Sequence, residues 1–141
     1  MARAKQKQTR STVKLRDVNR RILVERDASG VPHVSGERWL DVLYGLGYLH
    51  AIDRGTQILF SRVVAQGNAA EQIADKPELI ETDRFFRRVG LDLQLPQEVI
   101  DLDDHVREQI ENYCQGVTDG VQAAGRSLPM WATGFQPRPW D

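Results

Sequence analysis

The chain has 141 residues, 40% hydrophobic and 28% charged, with a formal net charge of −1 and one cysteine. That make-up fits one soluble domain or a piece of a larger one, and it excludes an intrachain disulfide and a cysteine-rich metal site. No run approaches the ~18 consecutive apolar residues of a membrane span, and the basic N-terminus lacks the apolar core of a secretory signal, so the expected compartment is cytoplasmic.

The near-zero charge hides an asymmetry. Residues 1–21 hold eight basic side chains against Asp17 alone, a charge of +7, whereas residues 22–141 carry −8. Residues 1–20 are expected to be a disordered basic arm. Such an arm can meet a phosphate backbone. It has no aromatic residue to stack on bases, so nucleic acid is not the expected partner.

Beyond the arm, Arg21–Arg26 is short, apolar and β-branched, which predicts a strand. Asp27-Ala-Ser-Gly30 predicts a turn, with Gly30 free to take positive φ. Val31–Val34 returns as a second strand, and Pro32 belongs at a strand start or edge because it lacks a backbone donor. A long helix is expected from about Arg38 to Gln66, with Ser35 as its N-cap. Leu49, Ile52, Leu59 and Val63 form an apolar stripe on it. Gly47, Ala51 and Gly55 form a small-residue stripe that another backbone could approach. His50, Arg54, Gln57 and Ser61, spaced 4-3-4, form a polar stripe with Asp53 beside it. A helix this apolar on most sides is generally buried. It would span roughly 43 Å, against a radius of gyration of ~14 Å for a compact domain of this size. Either it breaks near Gly45–Gly47 or Gly55, or it belongs to a body larger than this chain.

Asp75-Lys-Pro77 punctuates the chain, and Glu78–Arg88 predicts a second helix. Asp83, Arg84, Arg87 and Arg88 are its polar side, with Leu79, Phe86 and Val89 facing inward. A third helix is expected from Pro96, carrying an apolar stripe from Val99 through Val106, Ile110, Tyr113, Val117 and Val121 to Ala124, with Gly116 and Gly120 softening its end. Residues 127–141 read as a loop rich in Pro and Trp. The fold class expected is a mainly helical α+β fragment, an N-terminal β-hairpin followed by helices.

No hydrolytic triad can be assembled from these residues. There is no Gly-x-Ser-x-Gly elbow, and Ser29, Ser35, Ser61 and Ser127 fit a turn, a cap, a helix and a loop. Cys114 sits beside an apolar stripe and reads as packing. His50 and Asp53 could form a dyad or two metal ligands, but two ligands are not a site, and a structural hydrogen-bonded role is preferred. The run Asp101-Leu-Asp103-Asp104-His105 invites a calcium loop. It lacks Gly at the sixth position and Glu at the twelfth, and carboxylates in a first helical turn are favourable without a metal. No catalytic and no metal-ligating residue is therefore assigned. Asp53, Arg54, Arg62 and Glu71 are candidates for structural ion pairs.

Taken in order, five stretches resemble a known family: VERDASGVPHV (24–34), DVLYGLGYLHAIDRGTQILFSRVVAQGNAAE (41–71), TDRFFRRVGL (82–91), YCQGVTDGVQ (113–122) and LPMWATGFQPRPW (128–140). They look like successive blocks of the penicillin acylase (penicillin amidase) family of N-terminal-nucleophile hydrolases, covering about residues 21–140. The resemblance implies an αββα enzyme made as a precursor that cuts itself into an α-chain and a β-chain. The β-chain's new N-terminal Ser would be the nucleophile and its own α-amino group the base. The bonds cleaved would be linear amides, as in β-lactam side chains or acyl-homoserine lactones.

The blocks here resemble only the first part of the α-chain. The family's nucleophile, its oxyanion-hole groups and most of its calcium ligands lie on the β-chain, and its acyl-pocket residues follow the Pro-x-Trp block. The resemblance therefore implies no cofactor in this chain, calcium only in the complete enzyme, and a β-chain as the partner in a heterodimer. Ile52, Gly55 and Asn68 depart from the family's usual Gln, bulky apolar residue and Arg. The alternative is a non-enzymatic helical interaction protein derived from a truncated family member.

Overall fold

The computed structural model describes residues 9–11, 22–91 and 95–140. In chain order these form β1 (Thr9–Ser11), β2 (Ile22–Arg26), β3 (Pro32–Gly36), α1 (Trp39–Ala65), α2 (Ala69–Gln72), α3 (Pro77–Val89), α4 (Leu95–Asp101), α5 (Asp104–Ala124) and α6 (Leu128–Thr133). The expected class, mainly helical with an N-terminal hairpin, is what is found.

The hairpin pairs β2 antiparallel with β3, from Ile22 opposite Gly36 to Arg26 opposite Pro32. Ile22 and Val24 are buried while Leu23 between them is exposed, the alternation of a half-buried strand. Pro32 takes the first position of β3, where its missing donor costs no ladder bond. The turn is held by Asp27, whose Oδ1 accepts from the Ser29 and Val31 amides at 2.9 and 3.0 Å. The Val31 amide above all holds this carboxyl below its usual pKa, with smaller help from Ser29 and His33. The lowered folded pKa fixes the sign. The turn's support is complete above the ordinary aspartate pKa and is lost as pH falls through the lower, folded value. An acid titration followed by amide exchange at Ser29 and Val31 should show this loosening, and Asp27→Ala should abolish the dependence.

Strand β1 pairs with the other edge of β2, Thr9 opposite Arg26 and Ser11 opposite Val24. Three residues of the stretch expected to be a disordered arm are thus a strand. The rest of that arm, and Arg21, lie outside the described residues.

Helix α1 runs 27 residues and is interrupted at Arg54, where φ −136° and ψ 17° are not helical. The break falls one residue before Gly55, matching one of the two expected positions. Glycine lowers the cost of leaving the helical conformation at its neighbour because it is itself a poor helix former. Ser35 is not the cap: it lies in β3 opposite Leu23, and Arg38 occupies the N-cap without a side-chain cap. The first turn is instead served by Asp41, which is buried and takes a two-pronged bond from Arg38, Nε at 2.9 Å and Nη2 at 2.7 Å. A carboxylate there also meets the positive end of the helix dipole.

Helices α1 and α5 lie side by side and run in the same direction, in backbone contact. A Cβ added to Gly47 would lie 2.2 Å from the Tyr113 carbonyl oxygen, and one on Gly116 would lie 2.0 Å from that of Tyr44. Gly120 sits against Ala51, one turn further along. The small-residue stripe thus works at Gly47 and Ala51, but Gly55 has nothing near it. Gly116 and Gly120, expected to soften α5, are the complementary half of this contact. Below it lies the larger core of Ala51, Leu59, Val63, Val117, Val121, Met130 and Phe135; a second cluster of Ile22, Val24, Tyr44 and Leu49 joins the hairpin to α1.

Three further expectations need correction. The helix expected to run unbroken from Pro96 is two helices, α4 and α5. Asp103 interrupts it by leaving the helical conformation (ψ 138°) and accepting from the His105 amide. Arg107 then folds back, Nη2 donating to the carbonyls of Ile100 and Leu102 at 2.9 Å each, which caps the end of α4. The apolar spacing runs through this break, and its first half remains partly exposed among the described residues, Val99, Val106 and Ile110 at 43%, 41% and 44%. On α3 the expected polar residue Asp83 is buried, whereas Val89, expected inside, is exposed. The C-terminal stretch is not all loop, since Leu128–Thr133 forms α6, with Met130 and, just beyond it, Phe135 in the core.

Candidate functional site

The polar stripe of α1 is the floor of an open groove of about 1100 Å³. His50, Arg54, Gln57 and Ser61 line it in sequence, since steps of four and three residues return to the same face of a helix. Tyr113 of α5 forms one wall, and Leu91 and Trp140 contribute further apolar surface. Trp140 is placed by α5: its amide donates to Thr118 Oγ1 at 2.9 Å, and the same hydroxyl donates to the Trp140 carbonyl at 3.2 Å. Arg62 completes that corner, donating to the Pro139 carbonyl at 2.7 Å with its guanidinium 5.1 Å from the Trp140 ring centre.

The polar stripe stays together, but the candidate dyad and the ion-pair candidates are not brought to one place. His50 and Asp53 face different ways. His50 Nδ1 lies 2.9 Å from the Tyr113 hydroxyl, with the two rings edge to face at 5.8 Å. Asp53 reaches the hairpin, accepting from Arg26 Nη2 at 2.6 Å, so this pair ties α1 to the sheet. Both partners are about one-third exposed (32% and 35%), and water screening leaves such a pair ~1 kcal/mol at most. Its value is positional. Arg54 lines the groove, and Glu71 is exposed on α2; among the described residues neither has an ion-pair partner. Cys114 is half-buried. Asp101, Asp103 and Asp104 are engaged separately, with Gln97, the His105 amide and Arg107. Among the described residues no three His, Cys, Asp or Glu side chains converge where they could hold a metal ion.

Three contributors were not visible from the sequence as site residues. Tyr113 looked like core because it falls on an apolar stripe, although a hydroxyl within such a stripe needs a partner. Trp140 lay in an apparent loop. Arg26, at a strand end, gave no sign that it would reach α1.

The groove has the shape of a site but not the chemistry of a reaction. Burial, then the neighbouring Cys114, push the Tyr113 phenol above its usual pKa, so it stays protonated at neutral pH and offers no phenolate. Among the described residues Ser61 is the one serine lining the groove. His50, eleven residues earlier on the same helix, is roughly 16 Å away along the axis, too far to activate it. Nucleophile, base and oxyanion donors do not meet among the described residues. No helix among them is long and apolar enough to cross a membrane.

Comparison with known proteins gives the chain its relatives. The family model described as penicillin amidase matches residues 21–141. Among curated relatives, the acyl-homoserine lactone acylase QuiP of Pseudomonas putida is 30% identical over 128 residues, 89% of this chain and 16% of that protein. A penicillin acylase 2 proenzyme from a Pseudomonas strain is 31% identical over 122 residues, 85% of this chain and 15% of the relative. Among solved structures, a thermostable penicillin G acylase from Alcaligenes faecalis superposes with a TM-score of 0.73 at 24% identity, over 85% of this chain and 65% of that one. The fold is shared, and the chain spans about one-sixth of the length of the curated relatives it matches.

Proposed function

The chain belongs to the penicillin amidase family, and we propose that it is the first segment of the α-subunit of an amidohydrolase, inactive until a second polypeptide completes it. One observation carries this reading. The family match runs from residue 21 to residue 141, yet no nucleophile–base pair exists among the described residues of that span. The groups that do chemistry then reside on the remainder of the enzyme, a β-chain forming a heterodimer with this one.

The substrate class proposed is a linear amide, the acyl side chain of a β-lactam or of an acyl-homoserine lactone, as the names of the relatives suggest. In the complete enzyme a β-chain serine hydroxyl would attack the amide carbonyl while its own α-amino group takes the proton. That proton passes to the departing amine, and water then releases the acyl group. This chain contributes the hairpin, the α1–α5 pair and the groove. The described residues offer no donor set for calcium, so no step is assigned to a metal here. A non-enzymatic helical interaction protein is not favoured, because the relatives are acylases.

The purified chain alone should show no hydrolysis of phenylacetyl or longer acyl amides in a chromogenic assay, and activity should appear on co-expression with a serine-led β-chain. Turnover by the lone chain that persists through rigorous purification would sink the proposal.

A further inference from the structure

We propose that the groove along α1 receives an acidic segment of the completing polypeptide, with one of its carboxylates paired to Arg54. This rests on the functional reading above and adds the surface and the chemistry of its occupant.

Charge is the first argument. Arg54 lines the groove and has no ion-pair partner among the described residues, while its neighbour Asp53 is committed to Arg26 on the sheet side. Arg62 at the groove's end is already engaged with Pro139 and Trp140, and no carboxylate lines the groove among the described residues. This happens in a stretch, 22–141, whose charge is −8. A basic floor in an acidic body selects for a carboxylate, and a guanidinium binds one with two parallel hydrogen bonds when water is excluded.

Size and wall chemistry narrow the choice. Small-molecule clefts run to about 1,000 Å³ and enclose most of their ligand. This groove, of about 1100 Å³, follows α1 from His50 to Gln66 and stays open to solvent. Its walls of Ile58, Leu91, Tyr113 and Trp140 are apolar, and apolar surface of that kind marks a protein contact. Relatives roughly six times longer have the further chain to cover surface that the described residues leave bare. The occupant that fits is a stretch of polypeptide with Asp or Glu beside a large apolar side chain.

The test uses the full tagged chain co-expressed with the Pseudomonas putida acyl-homoserine lactone acylase from which the matched stretch has been removed. Wild type should retain that protein on purification. Arg54→Glu should lower the recovered complex about tenfold or more, as expected when one member of a desolvated charge pair is reversed. Arg54→Lys should keep much of it, and Glu71→Lys, outside the groove, should leave it unchanged. Far-UV circular dichroism should not distinguish these variants, because Arg54 and Glu71 are exposed.

The same substitutions in a graft, with residues 21–141 replacing the matched stretch of that acylase, should give the same ranking in acyl-homoserine lactone hydrolysis. Failure of the wild type in both formats removes the functional reading and this proposal with it. Success of the wild type with no loss in Arg54→Glu overturns the groove assignment alone. If instead the lone chain sediments as a dimer that Arg54→Glu dissociates, the occupant is a second copy and the proposal is wrong.

Discussion

Gly116→Ala should be among the most destabilising single substitutions in this chain. The added methyl carbon would sit 2.0 Å from the Tyr44 carbonyl oxygen, 2.9 Å from its carbon and 3.0 Å from the Tyr48 amide. All three are backbone atoms of a helix, so no side chain can swing away to relieve them. The α1 and α5 axes must part by more than 1 Å or so, opening the core that holds Ala51 and Val117, 1% and 0% exposed. Ordinary overpacking costs about 1–3 kcal/mol, and a rigid backbone clash belongs at or beyond the top of that range. Against it stands the better helix propensity of Ala over Gly, about 1 kcal/mol. The net loss is therefore about 2 kcal/mol or more.

The ranking among the glycines is the sharper test. Gly47→Ala should match Gly116→Ala, because its Cβ would lie 2.2 Å from the Tyr113 carbonyl oxygen. Gly120→Ala should cost somewhat less, since its nearest neighbours, the Tyr48 carbonyl oxygen at 2.6 Å and the Ala51 methyl at 2.7 Å, lie further off. Gly55→Ala, with no atom within 4 Å, should stabilise by up to about 1 kcal/mol through propensity alone. Urea midpoints from far-UV circular dichroism would decide it. Equal effects at Gly55 and Gly116 would refute the close-contact account.

The same helix pair shows what was legible in the sequence. Gly47 and Ala51 declared a small-residue face because α1 is otherwise bulky. Gly116 and Gly120 have the same four-residue spacing, yet a glycine pair near a helix end also looks like fraying. Only the partner distinguishes the two, and the pairing of two elements some seventy residues apart is not a local property. The polar stripe His50–Ser61 was read correctly as one face; none of the described residues covers that face, and periodicity names only the face, not its cover. The break before α5 did leave a mark, an Asp at the N-cap position followed by a second Asp. The continuous apolar spacing across it outweighed that mark. Hydrophobic pattern reports which faces could be buried, and Val99, Val106 and Ile110 stay over 40% exposed among the described residues.

Asp83→Ala should be the other severe substitution, for an electrostatic reason that periodicity concealed. Asp83 falls on the charged side of α3 in sequence, beside Arg84 and Arg87, and so looked solvated. It is 6% exposed, because the chain leaving α1 passes over it. Its Oδ1 accepts from the Ala69 amide at 2.7 Å and its Oδ2 from the Ala70 amide at 2.8 Å. Those are the first amides of α2, a four-residue helix whose own N-cap, Asn68, makes no side-chain cap bond. Arg87, one turn further on, donates from Nε to the Gly67 carbonyl at 2.7 Å and from Nη2 to Asn68 Oδ1 at 3.2 Å. Two adjacent turns of α3 thus grip both polar faces of the α1–α2 turn.

Removing the carboxylate strands two amides, one belonging to the fully buried Ala69. An unsatisfied buried donor costs about 1–3 kcal/mol, so the total is on the order of 3 kcal/mol. Asp83→Asn should recover little, because the amide side chain offers one acceptor and turns an N–H toward the second donor. Exchange of the Ala69 and Ala70 amides should quicken in both variants more than that of the α5 amides. Glu71→Ala, exposed on the same short helix, should change stability by less than about 0.5 kcal/mol. Leu91, just past the end of α3, lines the groove, so loosening this grip should also weaken assembly with the completing polypeptide. A variant lacking the Asp83 carboxylate that keeps its stability and slow exchange at Ala69 would show that water or another group caps α2, and that α3 is not the fastener of that wall.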